Sequence, residues 1–465
     1  MRSNTRRSFI KNAGLGLLAI PAVGNAAILG EEASPNQQKG INVSNISLNV
    51  RDFGAIGDGK TKDTSAIQQA IDRCAVLGGG EVLVPEGDYL IGALQLRSHV
   101  MLRLQKDAVL SGSADLGDYP VTQVRWEGKW IQGHTGLIYA IGASYFGITG
   151  PGKIAGSLTV GGRPSKEKPL RLPALIEPIN CSNVTFSGFS TEYHAMWSIH
   201  LTYCDFVSIN NLTIRSTGAN GDGIDVDSCK NVNIDGCDIS TGDDCISFKS
   251  GRGMEGYKIA RPTDTVLVSN CTFADTIFAC IGVGSETSGG IRNIIVENCK
   301  FKEAKSFAIY LKSNTGRGAY IENLSFNNLD IAGTKGGFLK FNLAGSGLAD
   351  ELPVPGDEGV PVLKNFNFTN IHVTDVPVLI DGVGIHPDKV LDGLTLSNIT
   401  GTCAKGITLA NIKNVKLKDI KVSGFEGPLL KTNNVSGKGL EGAEAIPAPK
   451  FPALTPAPAM PYVLK

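Results

Sequence analysis

The sequence predicts an all-β fold, a parallel β-helix in which the chain winds as a solenoid and each coil adds one short strand to each of several sheets. Two observations predict it. Short segments with alternating apolar side chains recur through the middle of the chain, and no long amphipathic helix separates them. Parallel strands this close in sequence cannot be joined by helical crossovers, so stacked short coils must join them.

Each repeated segment has a polar turn, often with Asn, followed by alternating apolar residues. Equivalent residues of neighbouring coils would stack about 4.8 Å apart, and Asn side chains before the strands could form ladders. A β-propeller is the alternative, but it needs four strands per repeat and a period of about 40 residues. The segments begin at residues 181, 204, 229, 263, 291, 321, 363, 391 and 412.

The stretch before the repeats predicts a helix that covers the N-terminal end of the solenoid, where apolar core and unpaired strand edges would otherwise be exposed. Asp63 is a candidate N-cap. The helical spacing is carried by four apolar positions: Ile67, Ala70, Ile71 and Cys74.

The ends of the chain have compositions of their own. Arg6 and Arg7 precede an apolar run over 13–23 that is too short to span a bilayer, so residues 1–30 resemble a twin-arginine export signal. We therefore expect a folded protein exported to the periplasm or the medium, with no membrane anchor in the mature form. The β-helix domain is expected over 45–435, and 436–465 is expected to be a tail rich in Pro and Ala.

Charge and cysteine content limit the partners. The 44 basic and 44 acidic residues balance, so no long-range field would attract nucleic acid, and an anionic ligand must be held by local charges. No Cys-x-x-Cys pair indicates a metal site, and we expect a monomer without a cofactor. We expect stacked, buried thiols with one disulfide at most, because five cysteines occupy similar places in the repeat: Cys181, Cys204, Cys229, Cys271 and Cys299.

The chain resembles glycoside hydrolase family 28, the polygalacturonase family, over nearly all of its length after the signal. The resemblance implies a right-handed parallel β-helix of the pectin lyase type that hydrolyses α-linked galacturonate in acidic plant polysaccharide, with inversion at the anomeric carbon. It is carried by FGAIGDGKTKDTSAIQQAIDRC (53–74), GGGEVLVPEGDYLIGALQLRS (78–98), MWSIHLTYC (196–204), DGIDVDSCKNV (222–232), STGDDCISFKSG (240–251) and GSETSGGIRNIIVENC (284–299).

Three aspartates are the candidate catalytic residues. Asp222 precedes Asp243 and Asp244 by about one coil, and Gly242 permits a turn or bulge that presents both neighbours to a groove. Inverting hydrolysis needs a protonated carboxyl and a carboxylate about 6.5–9.5 Å apart. The resemblance implies that Asp243 donates the proton and that Asp222 and Asp244 hold the water. Turn capping or calcium binding is the alternative role for these aspartates.

Two positions depart from the family pattern. Phe278 stands where a supporting histidine is usual, and Tyr310 stands where the strand Arg-Ile-Lys begins, so that only its lysine, Lys312, is kept. Tyrosine offers a stacking face and a hydroxyl, which suit a neutral sugar. A rhamnogalacturonan hydrolase or a rhamnosidase is therefore the alternative activity. A polysaccharide lyase and a carbohydrate-binding β-helix without turnover are further alternatives.

Other polar residues are candidates for binding substrate. Lys249, Arg252 and Arg317 could line the cleft with Lys312, because these cations could meet anionic sugars. The candidate substrate-binding set is completed by Asn220 and Tyr310.

Two aromatic segments are predicted to pack rather than to catalyse. Strand alternation places Trp197 and His200 in packing positions. Trp126, Trp130 and His134 are expected on a loop over the N-terminal coils, where aromatic rings could stack on a sugar or block one end of the groove.

Overall fold

The computed structural model describes residues 46–157, 159–160, 163–167, 169–193, 196–454, 456 and 462. The predicted export signal at 1–30 lies outside these residues and stays a prediction. Thirty-one of the strands belong to one continuous set of paired strands. Within the described part of the chain, no helix has both the length and the apolar character needed to cross a membrane.

The N-terminal coils combine short strands, one helix and a hairpin. Their strands are β1 (Ser47–Asn49), β2 (Asp58–Lys62), β3 (Gly80–Val84), β4 (Gly87–Ile91), β5 (Leu94–Gln95), β6 (Val100–Leu104) and β7 (Ala108–Gly112). Helix α1 spans Thr64–Val76, and 3-10 turns occupy Val50–Phe53 and Leu116–Asp118. Strands β8 (Val121–Trp126) and β9 (Lys129–His134) form a separate antiparallel hairpin.

The central coils are the most regular. Their strands are β10 (Ile138–Ile141), β11 (Ser144–Thr149), β12 (Lys153–Ala155), β13 (Ile176–Ile179), β14 (Ser182–Ser187), β15 (Ser190–Tyr193), β16 (Ile199–Thr202), β17 (Asp205–Asn210), β18 (Thr213–Ser216), β19 (Ile224–Asp227), β20 (Lys230–Asp235), β21 (Asp238–Thr241), β22 (Ile246–Lys249), β23 (Thr263–Ser269), β24 (Thr272–Thr276) and β25 (Ile281–Val283). Helix α2 (Gly253–Ile259) interrupts the coil between β22 and β23.

The C-terminal coils contain longer strands that bend from one sheet into the next. They are β26 (Ile291–Phe301), β27 (Phe307–Lys312), β28 (Tyr320–Ile331), β29 (Gly337–Asn342), β30 (Val362–Gly384), β31 (Leu391–Ser423), β32 (Leu430–Lys438) and β33 (Glu444–Ala445). 3-10 turns occupy Gly356–Gly359 and Pro387–Lys389. Strand β32 crosses the domain end predicted at 435, and the division into domain and tail stays a prediction.

Each strand pairs with its equivalent one coil away, so the coils build three parallel sheets. Sheet 1 contains β10, β13, β16, β19, β22, β25, β27 and β29. Sheet 2 contains β11, β14, β17, β20, β23 and the first parts of β26, β28, β30 and β31, and sheet 3 contains β12, β15, β18, β21 and β24. The predicted right-handed parallel β-helix is confirmed.

The core is a set of apolar columns that run along the inside of the coils. One column of sheet 2 places a buried side chain from every coil in register with the next, and each fully buried aliphatic group contributes about 1.5–3 kcal/mol. Its members are Phe146, Val184, Val207, Val232, Val266, Ile294, Leu324, Phe366 and Leu394. The apolar residues that alternate along the repeated segments are thus the residues that form this core.

Asparagine ladders follow the corners of the coils, as the repeated polar turns predict. Asn323 Nδ2 donates to Asn293 Oδ1 at 3.0 Å, and Asn365 Nδ2 donates to Asn323 Oδ1 at 3.0 Å. All three residues have a positive φ between 56° and 57°. Asn tolerates this left-handed conformation better than most residues, so the same side chain both turns the chain and bonds the next coil.

The cap helix is confirmed, with one correction. Helix α1 buries the four predicted apolar positions against the first coils. Asp63 does not cap it through its side chain. Its carboxylate instead accepts hydrogen bonds from the backbone N–H groups of Ile56 and Gly57, because the preceding loop also needs its buried donors satisfied.

All ten cysteines are free and buried. They do not form the single column that the repeat suggested. Cys181, Cys204 and Cys229 stack before sheet 2, whereas Cys271 and Cys299 stack with Cys237 before sheet 3. The two columns differ by one corner of the coil, a distinction that sequence spacing alone does not reveal.

Candidate active site

Successive coils bring the three candidate aspartates together at one edge of sheet 1. Asp222 lies just before β19, and Asp243 and Asp244 lie just before β22. The backbone N–H of Gly223 donates to Asp244 O at 3.0 Å, so the two segments are in register. One oxygen from each of the three carboxyls lies within 4.8 Å of the others.

The limit of 4.8 Å applies to one oxygen of each group. The separation of about 6.5–9.5 Å expected for acid and base is a separation between whole carboxyl groups, so that expectation stays a prediction. Asp222 and Asp244 come together because residues in register on neighbouring coils are held about one strand spacing, about 4.8 Å, apart.

Gly242 is needed here for close approach rather than for a special backbone angle. A Cβ at this position would lie 2.1 Å from the carbonyl oxygen of Gly218. The chain before Asp243 therefore packs directly on the backbone of the preceding coil, which fixes where the two adjacent carboxyls emerge.

Asp243 is half-buried, and its backbone is held more firmly than its side chain. Its carbonyl oxygen accepts hydrogen bonds from the hydroxyls of Thr241, at 2.7 Å, and Thr276. Burial raises the pKa of Asp243 to about 7, with a further increase from the charges of Asp222 and Asp244. A carboxyl with this pKa is protonated in an appreciable fraction of molecules at neutral pH, as a general acid requires.

Asp244 is buried, and both oxygens of its carboxylate accept hydrogen bonds. Its Oδ2 accepts from Ser247 Oγ at 2.8 Å and from Lys312 Nζ at 2.6 Å, and its Oδ1 accepts from the backbone N–H of Ala279 at 3.3 Å. Gly282 leaves room for this carboxylate, because a Cβ there would lie 2.4 Å from Asp244 Oδ2. Contacts from three coils thus fix the orientation of Asp244.

Asp222 shares the ammonium of Lys249 with a fourth carboxyl, that of Asp225. Lys249 Nζ lies 3.2 Å from Asp222 Oδ2 and 2.6 Å from Asp225 Oδ1, and 5.0 Å from the centre of the Trp197 ring. Asp225 is completely buried, and burial, followed by the charge of Asp222, raises its pKa well above the ordinary value. Asp225 was not predicted from the sequence.

The other predicted substrate-binding residues occupy different surroundings. Asn220 is buried beside the cluster and accepts a hydrogen bond from Arg163, an exposed arginine that the sequence did not single out. Arg252 and Arg317 both pair with Asp350, at 2.8 Å and 2.7 Å. Arg317 is completely buried in this structure and does not reach the groove.

Phe278 and Tyr310, at the two departures from the family pattern, lie next to Lys312 on the other side of the cluster. The Lys312 ammonium is 4.6 Å from the centre of the Phe278 ring and 5.8 Å from that of Tyr310. Both rings are half-buried. The structure therefore gathers Lys312 and Tyr310 with the carboxyls, as predicted from the sequence.

The segment with Trp126 and Trp130 is a hairpin and not the predicted loop. It crosses several coils, since Arg125 on β8 pairs with Asp227 on β19 at 3.0 Å, and Trp126 stacks on Trp197 with ring centres 5.1 Å apart. Trp197 and His200 are buried packing residues, as predicted. The hairpin therefore packs along sheet 1 from the coil of Trp197, just before the cluster, to Arg252, which contacts Glu127 at 3.1 Å.

The outer face of sheet 1 is more exposed beyond the cluster than directly before it. On the N-terminal side, Glu177 and His200 are each no more than 1% exposed. On the C-terminal side, the side chains of Lys340 and Asp381 are each 30% exposed. The exposed strip of sheet 1 that runs from the cluster toward the C-terminal coils is the candidate groove.

Known proteins resemble the chain in both sequence and structure. The profile described as glycosyl hydrolases family 28 matches residues 74–339. A probable polygalacturonase from Vitis vinifera is 31% identical over 371 residues, which cover 76% of this chain and 74% of the relative. An exo-poly-alpha-D-galacturonosidase from Dickeya chrysanthemi is 27% identical over 301 residues, 54% of this chain, and the match spans only 49% of that relative.

Solved structures give the same result. A hyperthermoactive exopolygalacturonase from Thermotoga maritima superposes with a TM-score of 0.69 at 26% identity, covering 82% of this chain and 93% of that chain. The family 28 exopolygalacturonase of Yersinia enterocolitica superposes with a TM-score of 0.71 at 23% identity, covering 85% and 78%, and supports the fold. By its sequence profile, its relatives and its fold, the chain belongs to glycosyl hydrolase family 28 and is a glycoside hydrolase.

Proposed function

We propose that this glycoside hydrolase removes galacturonate from the end of an acidic pectic chain. The observation that carries the proposal is the position of the three-carboxyl cluster beside the hairpin, which packs on the coil before the cluster through Trp126 and Trp197. The Thermotoga and Dickeya relatives are named as exo-acting enzymes on polygalacturonate, and these names support the same substrate here. In the proposed complex, the terminal sugar lies on the side of the hairpin, and the remaining chain extends toward Tyr310 and Lys340.

In the proposed reaction, protonated Asp243 gives its proton to the oxygen of the glycosidic bond. Asp222 and Asp244 hold the attacking water, because one water can bond two oxygens up to 4.8 Å apart when each hydrogen bond is about 2.8 Å long. Lys249 and Lys312 offset the negative charge of these two carboxylates. The water loses a proton to the carboxylates as it attacks the anomeric carbon, so atoms and charge balance.

Inversion at the anomeric carbon is part of the proposal and rests on the family resemblance. Retaining enzymes hold their two carboxyl groups about 5–5.5 Å apart, closer than inverting enzymes do. Proton NMR of the first product formed distinguishes the two outcomes. The β-anomer is expected from an α-linked substrate, and initial formation of the α-anomer would show retention.

We also propose that the protein acts outside the cytoplasm and that it is a monomer. The pattern in residues 1–30 supports export by the twin-arginine route. A polysaccharide substrate supports the same location, because such chains are too large to enter a cell freely.

Size-resolved product analysis tests the proposed function. Purified enzyme is incubated with polygalacturonate, rhamnogalacturonan and trigalacturonate, and products are followed from the first minutes. Galacturonate should accumulate from the first and third substrates while the polymer shortens slowly. Early release of mixed long oligomers would contradict end-wise attack, and products with the ultraviolet absorbance of an unsaturated sugar would indicate a lyase.

A further inference from the structure

The residues at the two departures from the family pattern lie against each other. The rings of Phe278 and Tyr310 have centres 5.5 Å apart and planes inclined by 26°. Phe278 belongs to the coil after Asp244, and Tyr310 lies one coil further, in register with Gly282. The two replacements therefore form one stacked aromatic pair on the open side of the cluster.

A second cation follows this pair along the groove. Lys340 is in register with Tyr310 on the next coil, and its ammonium lies 5.9 Å from the Tyr310 ring centre and 5.3 Å from that of Phe307. The Tyr310 hydroxyl accepts a hydrogen bond from Asn342 Nδ2 at 3.2 Å, which fixes the ring beside Lys340. The positive charge that the family places at position 310 is thus present one coil later.

The ammonium of Lys340 is available to a ligand. Its present partner is Asp381, at 3.1 Å, and both side chains are 30% exposed. Partly exposed ion pairs contribute little stability, so a carboxylate brought by substrate can replace Asp381 at low cost. Lys312, by contrast, is held by the buried Asp244 at 2.6 Å and is less free to bind a ligand.

We propose that Phe278, Tyr310 and Lys340 form the subsite for the first sugar on the leaving-group side. The sugar ring lies on the aromatic pair, and its carboxylate binds Lys340. This inference rests on the proposed function, and it makes Lys340 the residue that selects a uronate over a neutral leaving group. Aromatic faces bind sugar rings irrespective of charge, whereas an ammonium distinguishes a carboxylate.

Two substrates distinguish the contribution of the Lys340 ammonium from that of the aromatic rings. Digalacturonate has a carboxylate on its leaving sugar, and 4-nitrophenyl α-D-galacturonide has an aromatic leaving group without one. Lys340→Met should lower kcat/KM for digalacturonate about tenfold or more, as expected for loss of a charge-assisted hydrogen bond, and leave the nitrophenyl substrate unchanged. Lys340→Arg should restore most of the loss. Tyr310→Ala should lower kcat/KM for both substrates, since both stack.

Lys364→Met, at an exposed position of sheet 2, is the matched control and should change neither value. Equal loss on both substrates in Lys340→Met would show a structural role, and no loss on either would show that Lys340 does not contact the leaving sugar. Either result overturns the subsite while the proposed function stands. If the wild-type enzyme hydrolyses neither substrate, the proposed function fails and the subsite fails with it.

Discussion

Asp243 has two carboxyl neighbours and two cationic ones. Its burial and the charges of Asp222 and Asp244 raise its pKa, while Lys312 and Lys249 lower it, and the result is a pKa of about 7. An isolated aspartate has a pKa of about 3.9 and would be ionised at neutral pH. The surroundings therefore give Asp243 the protonated form that the proposed acid needs.

The pH dependence of activity follows from this balance. Because the acid must be protonated, kcat/KM should fall as the pH rises through about 7. Lys312→Met removes a cation that lowers the pKa of Asp243, so the alkaline limb should move to higher pH even though overall activity is reduced. Profiles of kcat/KM against pH for wild type, Lys312→Met and Lys364→Met measure this. A limb that stays in place or moves to lower pH would contradict it.

Gly282 offers a steric test of the position of Asp244. A Cβ there would lie 2.4 Å from Asp244 Oδ2 and 3.1 Å from Ser247 Oγ, so Gly282→Ala should push the carboxylate aside. A misplacement of about 1 Å can cost about 100-fold in rate, and we expect kcat to fall by that order. Gly345→Ala is the control, because its Cβ would meet only Asn342 Oδ1 at 3.6 Å. Full activity of Gly282→Ala would show that Asp244 need not be fixed.

Among the elements, the strands were predictable and the hairpin was not. The strands of sheet 2 begin within one residue of eight of the predicted segment starts, since apolar alternation is a local signal. Hairpin β8–β9 turns at Glu127 and Gly128, with φ of 42° and 79°. Turns with two positive φ angles favour Asn-Gly or Asp-Gly, and Glu-Gly does not give that signal. The sequence consequently did not decide whether the aromatic rings of this segment stack on a sugar or block one end of the groove.

A buried ion pair links the hairpin to sheet 1. Arg125 and Asp227 are each 1% exposed and 3.0 Å apart, and Arg125 also pairs with Glu255 at 3.1 Å. Removing one partner of a buried pair costs about 3–5 kcal/mol because the other charge stays buried. Arg125→Met should therefore lower the unfolding temperature more than the double variant Arg125→Met/Asp227→Asn. Calorimetry of the single and double variants measures the coupling, and additive effects would show that the pair does not anchor the hairpin.

Across the whole molecule, stacking of coils creates relationships that sequence separation conceals. A sequence separation of about one coil was enough to predict that Asp222 lies close to Asp243 and Asp244. Asp225 and Lys249 contact each other because β19 and β22 are neighbours. Both side chains are buried, and burial of this kind depends on segments distant in sequence. Arg163 reaches Asn220 from a loop 57 residues away, and no local pattern marks such a contact.

The buried thiols give a prediction for the folded chain as a whole. All ten cysteines are buried and free, and burial raises the pKa of Cys204 well above its ordinary value. Such thiols are poor nucleophiles, so they should stay reduced in the folded protein. A thiol reagent such as Ellman's should react with fewer than one thiol per native molecule and with ten after unfolding without reductant. A lower count after unfolding would reveal disulfides.

Galacturonate release by Asp243→Asn tests whether Asp243 supplies the proton for hydrolysis. Release from trigalacturonate should fall by about 10²–10⁴-fold, the usual contribution of a general acid. The unfolding temperature should stay at or above that of wild type, because the amide removes like-charge repulsion at a half-buried site. Asp238→Asn, at a partly exposed position of β21, serves as the control and should retain full activity. Activity of Asp243→Asn within about tenfold of wild type would show that Asp243 is not the proton donor.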